Sequence, residues 1–179
     1  MQTWQQYETE HQIENLLYGL CSRAVEIMTS EAGDAQINGI ALNVHSYYGT
    51  CFLSYNAAEE PQSGQSLRSD GIEPPDWSDE INDAVYQVFK ENYEEPHRYA
   101  IHNIMEKLSV QPDDAAFAAF GDGFLHSCRR VMARLYHDGV FARYPNIATD
   151  CLLLVTEIDA DTEEEQRLLA EVFQETAQA

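Results

Sequence analysis

"VTEIDADTEEEQRLL", Val155–Leu169, admits two incompatible readings, and the choice between them decides how the chain ends its fold. Asp159, Asp161 and Glu163 have the spacing that opens an EF-hand calcium loop. Such a loop needs Gly at its sixth position, for a sharp turn, and a bidentate Glu at its twelfth. Counted from Asp159, those positions hold Glu164 and Ala170, so the ligand set fails at both. A strand turning into a helix accounts for more of the residues. Leu152, Leu153, Leu154, Val155 and Ile158 form an apolar, partly β-branched run suited to a buried strand. Thr162 and Glu165 then have capping-box spacing, and Glu163, Glu164 and Glu165 place negative charge where a helix N-terminus favours it. The stretch is a strand, a turn and a charged helix.

The segment "INGIALNVHSYYGTCFLSYN", Ile37–Asn56, supplies the other strands. Strand formers lie on both sides of Tyr47-Tyr48-Gly49, which predicts a hairpin with strands over Ile37–His45 and Thr50–Tyr55. A helix precedes it, starting near a Thr9 cap with Gln12 three residues on. Ile13, Leu16, Leu17, Leu20, Ala24, Ile27 and Met28 recur along that helix as one apolar stripe. After the hairpin, residues 56–76 are rich in Ser, Gly, Gln and Pro, and a polar connection this long inside a domain tends to be functional or mobile.

"DWSDEINDAVYQVFKENYEE", Asp76–Glu95, is a strong helix with Ile81, Ala84, Val85, Val88 and Phe89 on its inner face. A shorter helix follows Pro96, built on Ile101, Ile104, Met105 and Leu108. The longest runs from near Pro112 to His137 and stops at Asp138-Gly139. Gly121 and Gly123 weaken its middle by about 1 kcal/mol each against Ala, which points to a kink or close packing there. Strands do not alternate with helices. The order predicts one α+β domain over residues 1–179, with a small, mainly antiparallel sheet, the hairpin plus a C-terminal strand, covered by several helices.

Charge narrows the function. The chain holds 31 acids against 10 Lys and Arg, a formal net charge of -21. That field disfavours phosphate backbones and anionic membrane surfaces, so neither nucleic acid nor membrane is an expected partner. It suits a basic protein partner. Cys21, Cys51, Cys128 and Cys151 are dispersed and are expected as reduced, largely buried residues, although sequence leaves their pairing open. The N-terminal "MQTWQQYETEHQIENLL" has neither a basic n-region nor an apolar h-region, and the expected location is the cytoplasm.

Catalytic motifs are not found: there is no phosphate-binding glycine loop, no nucleophile elbow and no H-E-x-x-H. His97 and His102 are five apart and do not share a helical face. Cys128 falls on the inward stripe of the long helix, where a buried, inert thiol is the usual explanation. No catalytic residue, metal ligand or cofactor is therefore assigned. Three surface features remain. Glu80, Asp83, Glu91, Glu94 and Glu95 lie mostly off the apolar stripe of their helix, either as solvated surface or as a field for a basic partner. Arg129, Arg130 and Arg134 form a basic cluster expected on the outer side of the long helix, where acids can pair with it. Tyr47 and Tyr48 at the hairpin tip, with Trp77 after the polar connection, are aromatic anchors of the kind interfaces use, although Trp77 also fits a helix staple.

Together, "INGIALNVHSYYGTCFLSYN", the Trp of "PPDWSDEINDAVYQVF", and "ARLYHDGVFARY" before "CLLLVTEIDADTEEE" resemble the bacterial family catalogued as domain of unknown function 4303. Trp77, Gly139, Phe141, Asp159 and Asp161 are the residues most like that family. The resemblance implies a small acidic protein of the immunity, or antitoxin-like, kind that neutralises a cognate toxin domain by binding it, and brings no catalytic residues. The expected function is stoichiometric protein binding through an acidic, aromatic surface. Two alternatives stand beside it. One is an enzyme of unknown chemistry with a site assembled across the fold from His126, His137 and Asp138; the other is a homo-oligomeric regulatory protein.

Overall fold

The structure is a computed structural model, and it describes residues 2–58, 83–111, 114–157 and 161–177. In chain order its elements are α1 (Trp4–His11), α2 (Ile13–Ala32), β1 (Gln36–His45), β2 (Thr50–Ala58), α3 (Asp83–Phe89), a π-helical segment (Lys90–Arg98), α4 (Tyr99–Ser109), α5 (Ala115–His137), a 3-10 turn (Phe141–Arg143), β3 (Ile147–Glu157) and α6 (Thr162–Thr176). The strand at the end of the chain and the hairpin join in one sheet of order β2-β1-β3. Fold class is α+β. The sheet is mixed: β1 pairs antiparallel with β2 and parallel with β3, so Leu42 has Leu53 on one side and Val155 on the other. The route permits the parallel pairing, because β3 returns through several helices and not through a tight turn.

Alternation separates the faces of the sheet. Ile40, Leu42 and Val44 of β1, with Leu53 and Val155 beside them, enter the main core, which the helices share. Ala41, Leu152 and Leu154 form a smaller cluster on the opposite face. There the buried Asn43 amide donates to Ser54 Oγ at 2.8 Å, which removes part of the cost of burying it.

The N-terminal helix begins earlier than its cap signals suggest. Thr3 and Gln6 form a reciprocal capping box, and Thr9 lies inside α1. The expected cap partner Gln12 instead adopts a left-handed conformation, φ 54°, that breaks the helix into α1 and α2. The physical reason is aromatic burial. α1 delivers Trp4 and Tyr7 to the core, with Trp4 rings 5.4 Å from Phe120 and 4.9 Å from Phe124. Gly123 makes the approach possible: a Cβ there would lie 2.8 Å from Trp4 Cβ, Cγ and Cδ1. Close packing is thus the observed use of Gly123, whereas a Cβ at Gly121 would meet only ordinary contacts at 3.4 Å or more.

The short helix expected after Pro96 is present as α4, but Pro96 itself does not interrupt the run of helices. It sits inside the π-helical segment, and α3, that segment and α4 follow one another without a break. Proline lacks the N–H that an α-helix interior requires and clashes with the preceding turn; a wider turn of π type relieves the crowding. At the other end of the chain, α6 is capped one residue earlier than Thr162. Asp161 accepts the N–H groups of Glu163 and Glu164 at 2.9 and 3.1 Å. Glu165 is released from capping and pairs with Arg129 at 2.7 Å, both side chains buried. Arg129 therefore faces inward, against the expectation for it.

Candidate functional site

The candidate site gathers around the hairpin turn, where β1 and β3 end side by side. Val44 pairs with Glu157, so the next residues of β1 meet the last carboxylate of β3. Glu157 accepts the Ser46 N–H through both oxygens, at 3.1 and 3.2 Å, and its Oε1 lies 3.8 Å from His45 Nδ1. The turn is held from the other side by the helices. Tyr93, fully buried in the π-helical segment, donates its hydroxyl to Gly49 O at 3.0 Å. His102 Nδ1 lies 3.1 Å from Tyr47 O, and since a carbonyl only accepts, the proton belongs on Nδ1. Gly49 has φ +67°, and a Cβ there would fall 2.8 Å from Ile101 Cβ and 2.9 Å from Arg98 O. Only glycine fits this turn against α4 without a shift.

That clamp fixes a cluster of rings. Tyr47 lies 5.0 Å from Tyr48 and 5.2 Å from His102, with Phe117 of α5 behind it at 6.1 Å. Tyr48 lies 4.4 Å from His45 and 5.3 Å from His102. Tyr47 is half-buried, whereas Tyr48 is 46% exposed. Tyr99, three residues before His102 and hence beside it on α4, is 66% exposed and carries the Arg98 guanidinium 5.8 Å from its ring centre. The result is an aromatic edge on a rigid base.

The residues expected to bind a partner divide. Tyr47 and Tyr48 come together at this edge. Glu91 and Glu95 are exposed on the π-helical segment that holds the turn, and Asp83 is exposed at the start of α3. Trp77 and Glu80 lie outside the described residues. Glu94 is a correction. It is only 7% exposed, accepts a hydrogen bond from the Tyr86 hydroxyl at 3.2 Å, and has Arg98 at 3.8 Å. The π-type turn alters the helical register, and with it the face on which Glu94 falls. From sequence, Tyr99, His45 and Glu157 receive no role, and His102 enters only in a ligand pair with His97 that the spacing disfavours. Their only local signals are an apolar strand ending in Glu157 and a His three residues after Tyr99; the contacts that unite them span long separations.

The basic cluster is occupied internally. Arg129 pairs with Glu165, Arg130 meets Glu14 at 3.1 Å, and Arg134 lies over the Tyr18 ring at 4.0 Å while reaching Asn15 at 2.9 Å. Arg130, Arg134, His137 and Asp138 line an open groove of about 550 Å³ beside α1 and α2. His126 is eleven residues from His137 on the same helix, about 16 Å along the axis, so His126, His137 and Asp138 do not converge. Burial pushes the Cys21, Cys51 and Cys128 thiols well up and Cys151 up to about 12, which leaves little thiolate for nucleophilic attack.

Among the described residues, no three His, Cys, Asp or Glu side chains gather as a metal-binding group. No described helix is long and apolar enough to cross a membrane. No family model matches the chain, and searches of curated proteins and of solved structures found no significant match.

Proposed function

We propose that this chain is a cytoplasmic immunity protein, antitoxin-like in action, that neutralises a toxin domain by stoichiometric binding. The observation that carries the reading is the aromatic edge: Tyr48 and Tyr99 exposed around His102, on a turn clamped by Tyr93, His102 and Gly49. Exposed tyrosines on a preordered base lose little conformational freedom on binding and are typical interface anchors. Exposed Glu91 and Glu95 on the adjoining segment, in a chain of net charge -21, favour a basic partner and speed its approach. The resemblance to the domain of unknown function 4303 family supports the same reading. The mechanism is occlusion: the acidic, aromatic edge covers a basic active site, as on a nuclease.

The test is capture of a partner from native lysate by the tagged chain, followed by washes at low and high salt. One stoichiometric basic protein, released by salt and lost with Glu91→Lys/Glu95→Lys, supports the proposal. Retention by that variant with an unchanged salt dependence contradicts it. Growth completes the test: the captured protein should be toxic when expressed alone and harmless with this chain.

A second reading, an enzyme, has one observation in its favour. His45 and Glu157 stand at the carboxyl ends of neighbouring parallel strands, where α/β enzymes commonly place their chemistry, and the buried His45 Nδ1 has no hydrogen-bond partner. Glu157→Gln separates the two readings. It abolishes turnover of any substrate worked by that pair, and it leaves toxin neutralisation intact if the turn keeps its shape.

A further inference from the structure

A second histidine cluster lies where the π-helical segment meets α1, with the His97 ring 5.9 Å from that of Tyr93, the residue that holds the hairpin turn. His97, half-buried, and His11, exposed at the end of α1, have ring centres 5.4 Å apart with planes inclined at 64°. They are separated by 86 residues in sequence and meet only because the segment packs beside α1. The buried Tyr7 phenol joins them. Its hydroxyl lies 3.1 Å from His97 Nδ1, and its ring lies 4.4 Å from that of His11.

The spacing has a chemical meaning. Two imidazoles bound through nitrogen at about 2.1 Å, with a tetrahedral angle between them, place their ring centres about 5.2 Å apart. The observed 5.4 Å between the edge-on rings is compatible with that figure, so a shared ion needs side-chain rotation but no backbone movement to bring the two nitrogens together. With a metal on Nε2, the His97 Nδ1–H donates to the Tyr7 hydroxyl oxygen 3.1 Å away, which is the arrangement of histidine ligands whose second ring nitrogen is held by a neighbouring polar group. Imidazole nitrogens select zinc and copper over calcium and magnesium.

We propose that His11 and His97 form a two-imidazole site for a borderline divalent transition metal, zinc or copper, which ties α1 to the π-helical segment. Water fills the other coordination positions, so the site is open and exchangeable, unlike a closed structural zinc site. Because the ion binds only the folded arrangement, it stabilises the protein by mass action. Tyr7 is a positioning residue that acts through His97. The proposal does not rest on the aromatic edge having a partner, although His97 shares Tyr93 as a neighbour with the hairpin turn.

The full chain, stripped of metal, is titrated with zinc chloride by calorimetry and with copper(II) by electron paramagnetic resonance. One saturable equivalent, a copper spectrum coupled to two nitrogens, and a rise in melting temperature with zinc are expected. His11→Gln and His97→Gln each weaken binding by more than roughly tenfold and remove the thermal shift, and Tyr7→Phe weakens it by roughly tenfold. His126→Gln leaves all three readouts unchanged. Binding that persists in His11→Gln, coupling to a single nitrogen, or no saturable equivalent overturns the proposal. His11 is exposed, so His11→Gln decides the matter even if His97→Gln fails to fold.

Discussion

Two aromatic clusters in this molecule use the same residue types and end in opposite states. Around Trp4, the rings of Tyr7, Phe120 and Phe124 close on one another, and the indole N–H donates to Ser127 Oγ at 2.9 Å. Ser127 in turn donates to Glu14 at 3.0 Å, so the buried polar atoms form a chain that ends near the surface. Around Tyr48, the rings of Tyr47, His45 and His102 are equally close, but Tyr48, and Tyr99 one helical turn before His102, keep much of their area in water. Each cluster rests on a glycine that admits a close contact, Gly123 beneath Trp4 and Gly49 against α4. Aromatic content alone therefore does not tell core from interface. What separates them is whether the rings complete the packing or stand on it.

Trp4→Ala tests the first cluster and should have the largest effect. Loss of the ring and the cavity it leaves should cost about 3–5 kcal/mol in urea unfolding. A cost under about 1 kcal/mol would show that the cluster contributes little. Gly49→Ala comes next. The added methyl meets Ile101 Cβ and Arg98 O, and the left-handed backbone is strained for alanine, so a loss of about 1–3 kcal/mol is expected. It should also weaken partner binding, because the turn that presents Tyr48 must shift.

The floor beneath the hairpin offers a chemical check. Cys51, Cys21 and Cys128 are fully buried, and their thiols hold protons well above the ordinary pH range. Thiolate is the reactive form, so a disulfide reagent at pH 8 should modify these three only as fast as the protein opens, whereas all four thiols should react at once in denaturant. Fast native reaction at three or more sites would contradict the packing described. The smallest effect on stability is expected at the exposed edge. Tyr48→Ala/Tyr99→Ala should change unfolding free energy by no more than about 0.5 kcal/mol per site. Its effect should appear in binding.

Much of the architecture was legible because strong local signals agree with it. The Tyr47-Tyr48-Gly49 turn, the apolar stripes of α2 and α5, and the strand that leads into α6 all declare themselves in periodicity and turn chemistry. The misses share a cause. Thr9 with Gln12, and Thr162 with Glu165, satisfy a capping pattern, yet tertiary demands place the true caps at Thr3 and Asp161. Burial of Trp4 and Tyr7 extends the first helix backward, and the Arg129 guanidinium draws Glu165 into the interior. Pro96 signals a boundary in any α-helix reading, but a π-type turn absorbs it, and the register of the segment then places Glu94 inside. Of the candidate site, the two hairpin tyrosines were legible and their partners were not. Glu157 reaches Ser46 across 111 residues, and no local pattern announces such a contact.

The most direct test of the central claim compares wild type with Tyr48→Ala/Tyr99→Ala in the same capture experiment, with circular dichroism and melting temperature recorded on both. If the aromatic edge is the binding surface, the variant keeps its fold and melting temperature while recovery of the stoichiometric basic partner falls at least roughly tenfold, as loss of interface anchors predicts. Equal recovery of that partner by a correctly folded variant would contradict the claim and move the binding surface elsewhere on the molecule.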